Sequence, residues 1–170
     1  MKEKILYLCS QFGLVGELLS YKQFSNGYIN KTYLIEIKNE EKTHKVVLQK
    51  INTYVFKNPE DVMKNIFNIT NHIKQKLKKE GIENDNKFLK FYKSGNQKFF
   101  IDDKNSCWRM YKFIDNSITF NNTNNLKILE ETGKAFGEFQ SFLNDYNIKN
   151  LNITIPHFHN TVSRYKDFKK

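Results

Sequence analysis

The chain is poor in residues that several common protein classes need. Its only thiols are Cys9 and Cys107, which lie far apart and outside any Cys or His cluster. We therefore expect neither a disulfide scaffold nor a zinc site, and we expect a reducing, cytoplasmic compartment. Arginine is limited to Arg109 and Arg164 and no RNA-binding motif is present, which argues against a nucleic-acid partner. No apolar run approaches the ~20 residues that cross a bilayer, and no signal peptide is recognisable, so no membrane partner is expected.

Positive charge and aromatic residues are abundant instead. Lys and Arg number 28 against 18 Asp and Glu, which gives a net charge of +10, and 15% of the residues are aromatic. At 170 residues the chain can bury a real core and fits about one domain. The charge suits an anionic partner. However, the lysines are spread along the chain, and the wealth of Asn, Lys and Ile resembles the codon bias of an AT-rich genome. We therefore discount the net charge as a signal of function.

The first half of the chain predicts three strands with a glycine turn. Residues 18–24 and 31–37 have strand patterns and are joined by Asn26-Gly27, a dipeptide typical of hairpins. A third strand is predicted at 44–51. A glycine turn lets backbone N–H groups approach a phosphate, and a basic residue on the next strand can reach the same phosphate.

Helices and further strands surround this unit. A short helix is predicted at 3–12, and a long one begins at Asn58-Pro59 and stops at Gly81. The apolar stripe of the long helix consists of Val62, Ile66, Ile69, Ile73 and Leu77. Three strand-like runs (88–93, 98–101 and 107–114) and a late helix at 124–144 follow.

This order predicts an α+β fold with a mostly antiparallel sheet of five to six strands and one long helix. The βββ-α-ββ order is typical of a protein-kinase-like N-lobe. We expect residues 1–115 to form that nucleotide-binding lobe. Residues 116–170 would be the exit from the hinge and the start of an incomplete helical C-lobe.

Six short motifs carry a resemblance to a known family. In chain order they span 26–33, 47–52, 55–59, 108–114, 133–140 and 155–161. The first resembles N-G-x-I-N-x-T-Y, and the second resembles V-L-Q-[KR]-I-N. Both patterns occur in bacterial kinases similar to N-acetylhexosamine 1-kinases, within the aminoglycoside phosphotransferase and choline kinase superfamily.

The resemblance implies transfer of a phosphoryl group from ATP, with Mg²⁺, to a sugar hydroxyl. The residues that would cover the phosphates are Asn26, Gly27, Tyr28, Ile29 and Asn30. Either Gln49 or Lys50 would contact the α- and β-phosphates, and the strand register decides which. The residues that would present backbone groups and apolar walls to adenine are Tyr111, Lys112, Phe113 and Ile114.

The chain departs from the family in two ways. Residues 62–79 contain no acid to pair with a basic residue of the third strand. Either Asn65 or Asn68 takes this role, or the ion pair does not exist in this chain. The catalytic pattern H-x-D-x-x-x-x-N is also absent, because none of the four histidines is followed two residues later by Asp. We therefore assign no catalytic residue and no metal ligand. The Mg²⁺ ligands and the contacts to the sugar acceptor are expected in a missing C-lobe.

Two functions remain open on the sequence. One is the N-terminal part of an ATP-dependent sugar kinase. The other is a catalytically incomplete nucleotide-binding module or degenerate kinase lobe, which would self-associate through the surface that a C-lobe normally covers.

Overall fold

The computed structural model describes residues 1–24, 27–82, 87–120 and 122–170. It confirms an α+β fold built on a five-stranded antiparallel sheet. The strands are β1 (Glu17–Phe24), β2 (Lys31–Lys38), β3 (Thr43–Lys50), β4 (Phe100–Ile101) and β5 (Cys107–Lys112). Their spatial order is β1-β2-β3-β5-β4. The helices are α1 (Lys2–Gln11), α2 (Pro59–Lys79), α3 (Leu126–Phe142) and α4 (Thr161–Phe168), with a 3-10 turn at Ile148–Asn150.

One face of the sheet packs against α1. Tyr33, Val46, Leu48 and Met110 all point to this side, because the register pairs Tyr33 with Leu48 and Leu48 with Met110. They form one buried cluster with the apolar residues of α1, among them Leu8. Period-2 alternation then requires the residues between them to point to the opposite face.

That opposite face looks toward α2, and we call it the α2 face. It is defined by Thr32, Val47, Gln49, Arg109 and Tyr111. Polar and apolar side chains are mixed here, unlike on the α1 side. A smaller buried cluster joins the end of β3 to α2 and the start of β5, through Ile51, Met63 and Cys107.

The long helix begins and ends where the sequence predicts. Pro59 is its first residue, and Gly81 follows its end with φ +70°, a left-handed conformation that glycine adopts without strain. Asn58 occupies the N-cap position but makes no cap hydrogen bond. Instead its Nδ2 donates to Asp61 Oδ2 at 2.8 Å. The predicted apolar stripe faces the protein, with its members buried or half-buried.

The predicted strand at 88–93 is wrong. Only Phe91 forms a bridge, to Tyr111, and two backbone hydrogen bonds (Tyr92 N–H to Met110 C=O and Lys112 N–H to Lys90 C=O) hold this segment beside β5. The chain then turns sharply at Ser94–Gln97. The next predicted strand shortens to Phe100–Ile101, so β5 has a short, interrupted neighbour on this side.

A buried carboxylate fixes the turn between β4 and β5. Asp102 accepts hydrogen bonds from Lys4 Nζ (2.9 Å), Trp108 Nε1 (3.0 Å) and the backbone N–H groups of Lys104 (3.1 Å) and Ser106 (2.8 Å). Its side chain is only 1% exposed. This residue therefore joins α1, the turn and β5.

The segment after β5 lies against α2 through polar contacts. Asn65 donates to the Asn152 carbonyl at 2.8 Å and accepts from the Asn152 N–H at 2.9 Å. About two and three turns further along α2, His72 and Lys76 both contact Asp145. Asparagine side chains cap α3, the 3-10 turn and α4.

The predicted late helix forms as α3, but none of its residues is buried. Its apolar side consists of Leu126, Leu129, Phe136 and Phe139, all exposed. No helix in the described ranges is both long and apolar enough to cross a membrane.

Candidate functional site

Three polar side chains form a ladder across the α2 face. Thr32, Gln49 and Arg109 occupy directly paired positions on β2, β3 and β5. Gln49 Nε2 donates to Thr32 Oγ1 at 2.8 Å, and Gln49 Oε1 accepts from Arg109 Nε at 2.9 Å and Arg109 Nη2 at 2.6 Å. We call this set the polar ladder.

The glycine turn lies next to the polar ladder. A methyl group placed on Gly27 would be 4.0 Å from Thr32 Oγ1 and 3.5 Å from the Asn30 carbonyl oxygen. The Asn30 side chain accepts a hydrogen bond from the Asn52 N–H at 2.9 Å. This bond fixes the end of the turn to the backbone just after β3. The turn and the third strand therefore meet at the ladder.

The remaining predicted turn residues differ in their surroundings. Tyr28 is 99% exposed and Ile29 is also exposed. Neither residue is therefore buried against the polar ladder. Asn26, the other predicted phosphate-covering residue, lies outside the described residues.

The ladder presents hydrogen-bond donors to the turn. Because Arg109 can only donate, it requires the oxygen of the Gln49 amide, and the amide nitrogen must then point to Thr32. Thr32 Oγ1 accepts that bond, so among the described residues its hydroxyl hydrogen has no acceptor, and neither has the second hydrogen of Gln49 Nε2. These two donors suit an anionic oxygen above the ladder.

The register separates Gln49 from Lys50. Gln49 belongs to the α2 face with the polar ladder, whereas Lys50 is paired with Lys31 and Trp108 on the face toward α1. A one-residue step along a strand reverses the direction of the side chain. The polar ladder therefore contains Gln49 and excludes Lys50.

Arg109 supplies the positive charge of the site, and the sequence reasoning missed it. No carboxylate of the described residues makes an ion pair with its guanidinium, whose other contacts are Met63 Sδ at 3.8 Å and the Phe91 ring at 5.9 Å. Burial lowers the pKa of Arg109, and the nearby Tyr111 phenol and Cys107 thiol partly oppose that shift. Burial also raises the pKa of Tyr111. The available signal in the sequence was an arginine within a strand-like run of mostly apolar residues, in a chain with only two arginines.

The long helix contributes no polar partner to the ladder from the predicted positions. Asn65, one of two candidates to replace a missing acid, is bound to Asn152 instead. The α2 residue that contacts Arg109 is Met63, which is fully buried. Of the alternatives left open, the one through Asn65 is not seen, because this amide joins α2 to the chain after α3.

The segment predicted to contact adenine leaves β5 at its end. The Lys112 N–H donates to the Lys90 carbonyl and the Phe113 N–H donates to the Lys45 carbonyl. Among the described residues, none hydrogen-bonds to the Phe113 carbonyl or the Ile114 N–H. These two groups belong to one trans peptide and point in opposite directions, so one of them at most can face the edge of a planar heterocycle.

A cavity of about 500 Å³ lies between α2 and the sheet, and we call it the α2 cavity. Gln49, Arg109 and Tyr111 form its sheet wall. The other walls come from α2, residues 87–91 and Phe139 of α3. Most of these groups are apolar, so the Arg109 guanidinium is the strongest polar feature of the α2 cavity.

No three His, Cys, Asp or Glu side chains among the described residues come together in an arrangement that could hold a metal ion. Because Mg²⁺ prefers carboxylate and carbonyl oxygens, the polar ladder, with its amide, hydroxyl and guanidinium donors, does not fit Mg²⁺ as a ligand set. No protein-family model matches the chain.

Proposed function

We propose that this chain carries the nucleotide-binding lobe of an ATP-dependent sugar phosphotransferase similar to the N-acetylhexosamine 1-kinases. The observation that supports the proposal is the position of Gly27 close to Thr32 of the polar ladder. Arg109, a cation without a carboxylate partner among the described residues, lies beside two hydrogen-bond donors that have no acceptor among those residues. Such a site favours the phosphates of a nucleotide over a neutral ligand.

Each part of the site has a distinct role in this proposal. The Thr32 hydroxyl and Gln49 Nε2 donate to phosphate oxygens, together with backbone N–H groups of residues 27–30. Arg109 is a positioning residue that fixes the Gln49 amide, and its charge adds long-range attraction. The ATP itself supplies the transferable phosphoryl group. Phosphoryl transfer depends chiefly on such positioning and charge stabilisation.

The base of the nucleotide would lie at the other end of the α2 face. Val47, paired with Leu34 and Tyr111, gives this end an apolar surface beside the Phe113 carbonyl and the Ile114 N–H. One edge of adenine carries both a donor and an acceptor, so it can bond to whichever of these two groups faces it. We propose that residues 1–115 bind the nucleotide, and that Mg²⁺ and the sugar are held by residues outside the described site.

Isothermal titration calorimetry with ATP tests the proposal on the purified chain. A hydrogen bond to a charged group contributes about 1.5–3 kcal/mol. We therefore expect Thr32→Val and Gln49→Leu each to raise the Kd for ATP by roughly 10- to 100-fold. The matched control is Lys50→Met, which removes a charge from the adjacent residue on the opposite face and should change the Kd by less than about threefold.

Three results would contradict the proposal in different ways. A larger loss of ATP affinity in Lys50→Met than in Gln49→Leu would place the phosphates on the α1 side of the sheet and not on the α2 face. Equal affinity for ATP and tripolyphosphate would show that the chain does not recognise adenine. No saturable binding at millimolar ATP would favour the alternative, a degenerate lobe that does not bind nucleotide.

A further inference from the structure

The walls of the α2 cavity are largely apolar, and most of them lie outside the proposed nucleotide site. Ile66, Ile69 and Ile73 line it from the helix side, and Phe88, Leu89 and Phe91 line it from the segment before β4. A volume of about 500 Å³ lies within the range of small-molecule sites in proteins, ~300–1,000 Å³. An apolar enclosure of this size favours an apolar body.

Arg109 gives this apolar cavity one strong polar preference. A guanidinium has five N–H groups in a planar fork. The Nε edge is occupied by Gln49 Oε1, and Nη1 makes only a long contact to Met63 Sδ at 3.8 Å. Nη2 donates one of its N–H groups to Gln49 Oε1 at 2.6 Å, so its second N–H and those of Nη1 are the groups without a strong acceptor among the described residues. The paired terminal N–H groups of a guanidinium match the two oxygens of a carboxylate.

The charge balance of the cavity points in the same direction. Its other cation, Lys87, is already paired with Glu138, with Nζ–Oε distances of 2.6 and 2.7 Å. No Asp or Glu lines the cavity among the described residues. A neutral ligand would leave the guanidinium uncompensated, and a cationic one would oppose it. An anionic group on an apolar body satisfies both the charge and the walls.

We propose that the α2 cavity binds a small apolar monocarboxylate, with its carboxylate on Arg109 and its hydrocarbon part against Ile66, Ile69 and Phe91. This site is separate from the glycine turn, because Gln49 stands between the turn and the guanidinium. The inference does not depend on nucleotide binding. It would hold even if the chain bound no ATP.

The test compares three probes of the same chain length on the wild-type protein, by calorimetry without nucleotide. Octanoate should bind saturably at one site, whereas 1-octanol should bind at least tenfold more weakly and octylamine should not bind. This comparison needs no variant, so it stays decisive even if a substitution at Arg109 prevents folding.

Two variants locate the bound probe. Ile69→Trp fills the cavity and should abolish octanoate binding, and Arg109→Met should weaken it at least tenfold. The matched control is Val15→Trp, which adds the same bulk at an exposed residue outside the cavity and should leave the affinity unchanged. Circular dichroism spectra establish that each variant is folded.

Three outcomes would overturn the proposal. They are no saturable octanoate binding, octanol binding as tightly as octanoate, and octanoate binding that persists in a folded Ile69→Trp variant. Without saturable octanoate binding, the cavity would not take the proposed class of ligand. Equal binding of octanol would show that Arg109 does not recognise the carboxylate. The third would place the probe elsewhere on the protein.

Discussion

A substitution at Asp102 should lower the free energy of unfolding strongly while it changes the shape of the side chain very little. The substitution Asp102→Asn keeps the size of the side chain but removes its charge and one acceptor oxygen. In the structure Oδ1 accepts from two backbone N–H groups, while Oδ2 accepts from Lys4 and Trp108. All four partners are donors, so one pair must face the NH₂ group of the asparagine.

The hydrogen bonds of Asp102 set the size of the expected loss in the free energy of unfolding. If the amide oxygen keeps the two backbone N–H groups, the bonds to the Lys4 ammonium and the Trp108 indole are lost. Each hydrogen bond to a charged group contributes about 1.5–3 kcal/mol. The Lys4 side chain is 38% exposed and can turn to water, so its share lies at the low end, whereas the Trp108 N–H stays buried. We expect a loss of about 3 kcal/mol in the free energy of unfolding.

Urea unfolding followed by the fluorescence of Trp108, the only tryptophan, measures this loss directly. With an m-value of about 2 kcal/mol/M, the midpoint should fall by roughly 1.5 M. The matched control is Asp103→Asn, an exposed neighbour of the same type, for which a change within about 0.5 kcal/mol is expected. A loss below about 1 kcal/mol for Asp102→Asn, or equal losses for the two variants, would refute the reasoning.

The pH dependence provides a second check on Asp102. Burial alone would raise the pKa of its carboxyl, but the hydrogen bonds from Lys4, Ser106 and Trp108 outweigh it and hold the pKa well below its ordinary value of 3.8. A lowered folded-state pKa contributes stability above the unfolded pKa and loses it as the pH falls further. The stability gap between wild type and Asp102→Asn should be complete at pH 7 and shrink below about pH 4. A gap that is constant from pH 7 to pH 2 would contradict this assignment.

Three further predictions follow from the packing. A methyl group on Gly16 would overlap the Lys38 carbonyl oxygen, so Gly16→Ala should destabilise the protein by about 2 kcal/mol or more in urea unfolding, and a smaller effect would show that the hairpin adjusts. Burial raises the pKa of Cys9 to about 12 and of Cys107 to about 11, so neither thiol should react with DTNB at pH 8 until the protein unfolds; fast native-state labelling would contradict their burial. Asn65→Ala should speed hydrogen exchange in the segment after α3 without changing exchange in β3, and unchanged exchange there would mean that this amide does not hold the segment.

Much of the local structure is predictable because it is encoded by short-range signals. The long helix has Pro59 at its first residue, a stripe at helical spacing and Gly81 beyond its end, and it forms between those limits. The first three strands likewise follow from alternation and turn residues. The segment 88–93 has the same local appearance but pairs at one position only, because a strand also needs a partner in register along its whole length.

Packing partners are much harder to predict than elements. The spacing of apolar residues in α3 correctly indicates a helix with one apolar side, yet that side is exposed. Periodicity shows which residues share a face, and it contains no information about what covers the face. Asp102 is the converse case, since two adjacent aspartates in a turn look alike until the fold brings Lys4 and Trp108 to one of them.

The candidate site depends on the same long-range information. The sequence leaves Gln49 and Lys50 as alternatives for the phosphate contact, because alternation along one strand cannot show which face meets the glycine turn. Pairing with β2 and β5 shows which of the two shares a face with Thr32: the register that brings Thr32 beside Gln49 also brings Arg109 beside it. The cation of the polar ladder therefore comes from β5 and not from β3. Arg109 bonds to the ladder through the Gln49 amide, which makes Gln49 the residue where the two proposed sites meet.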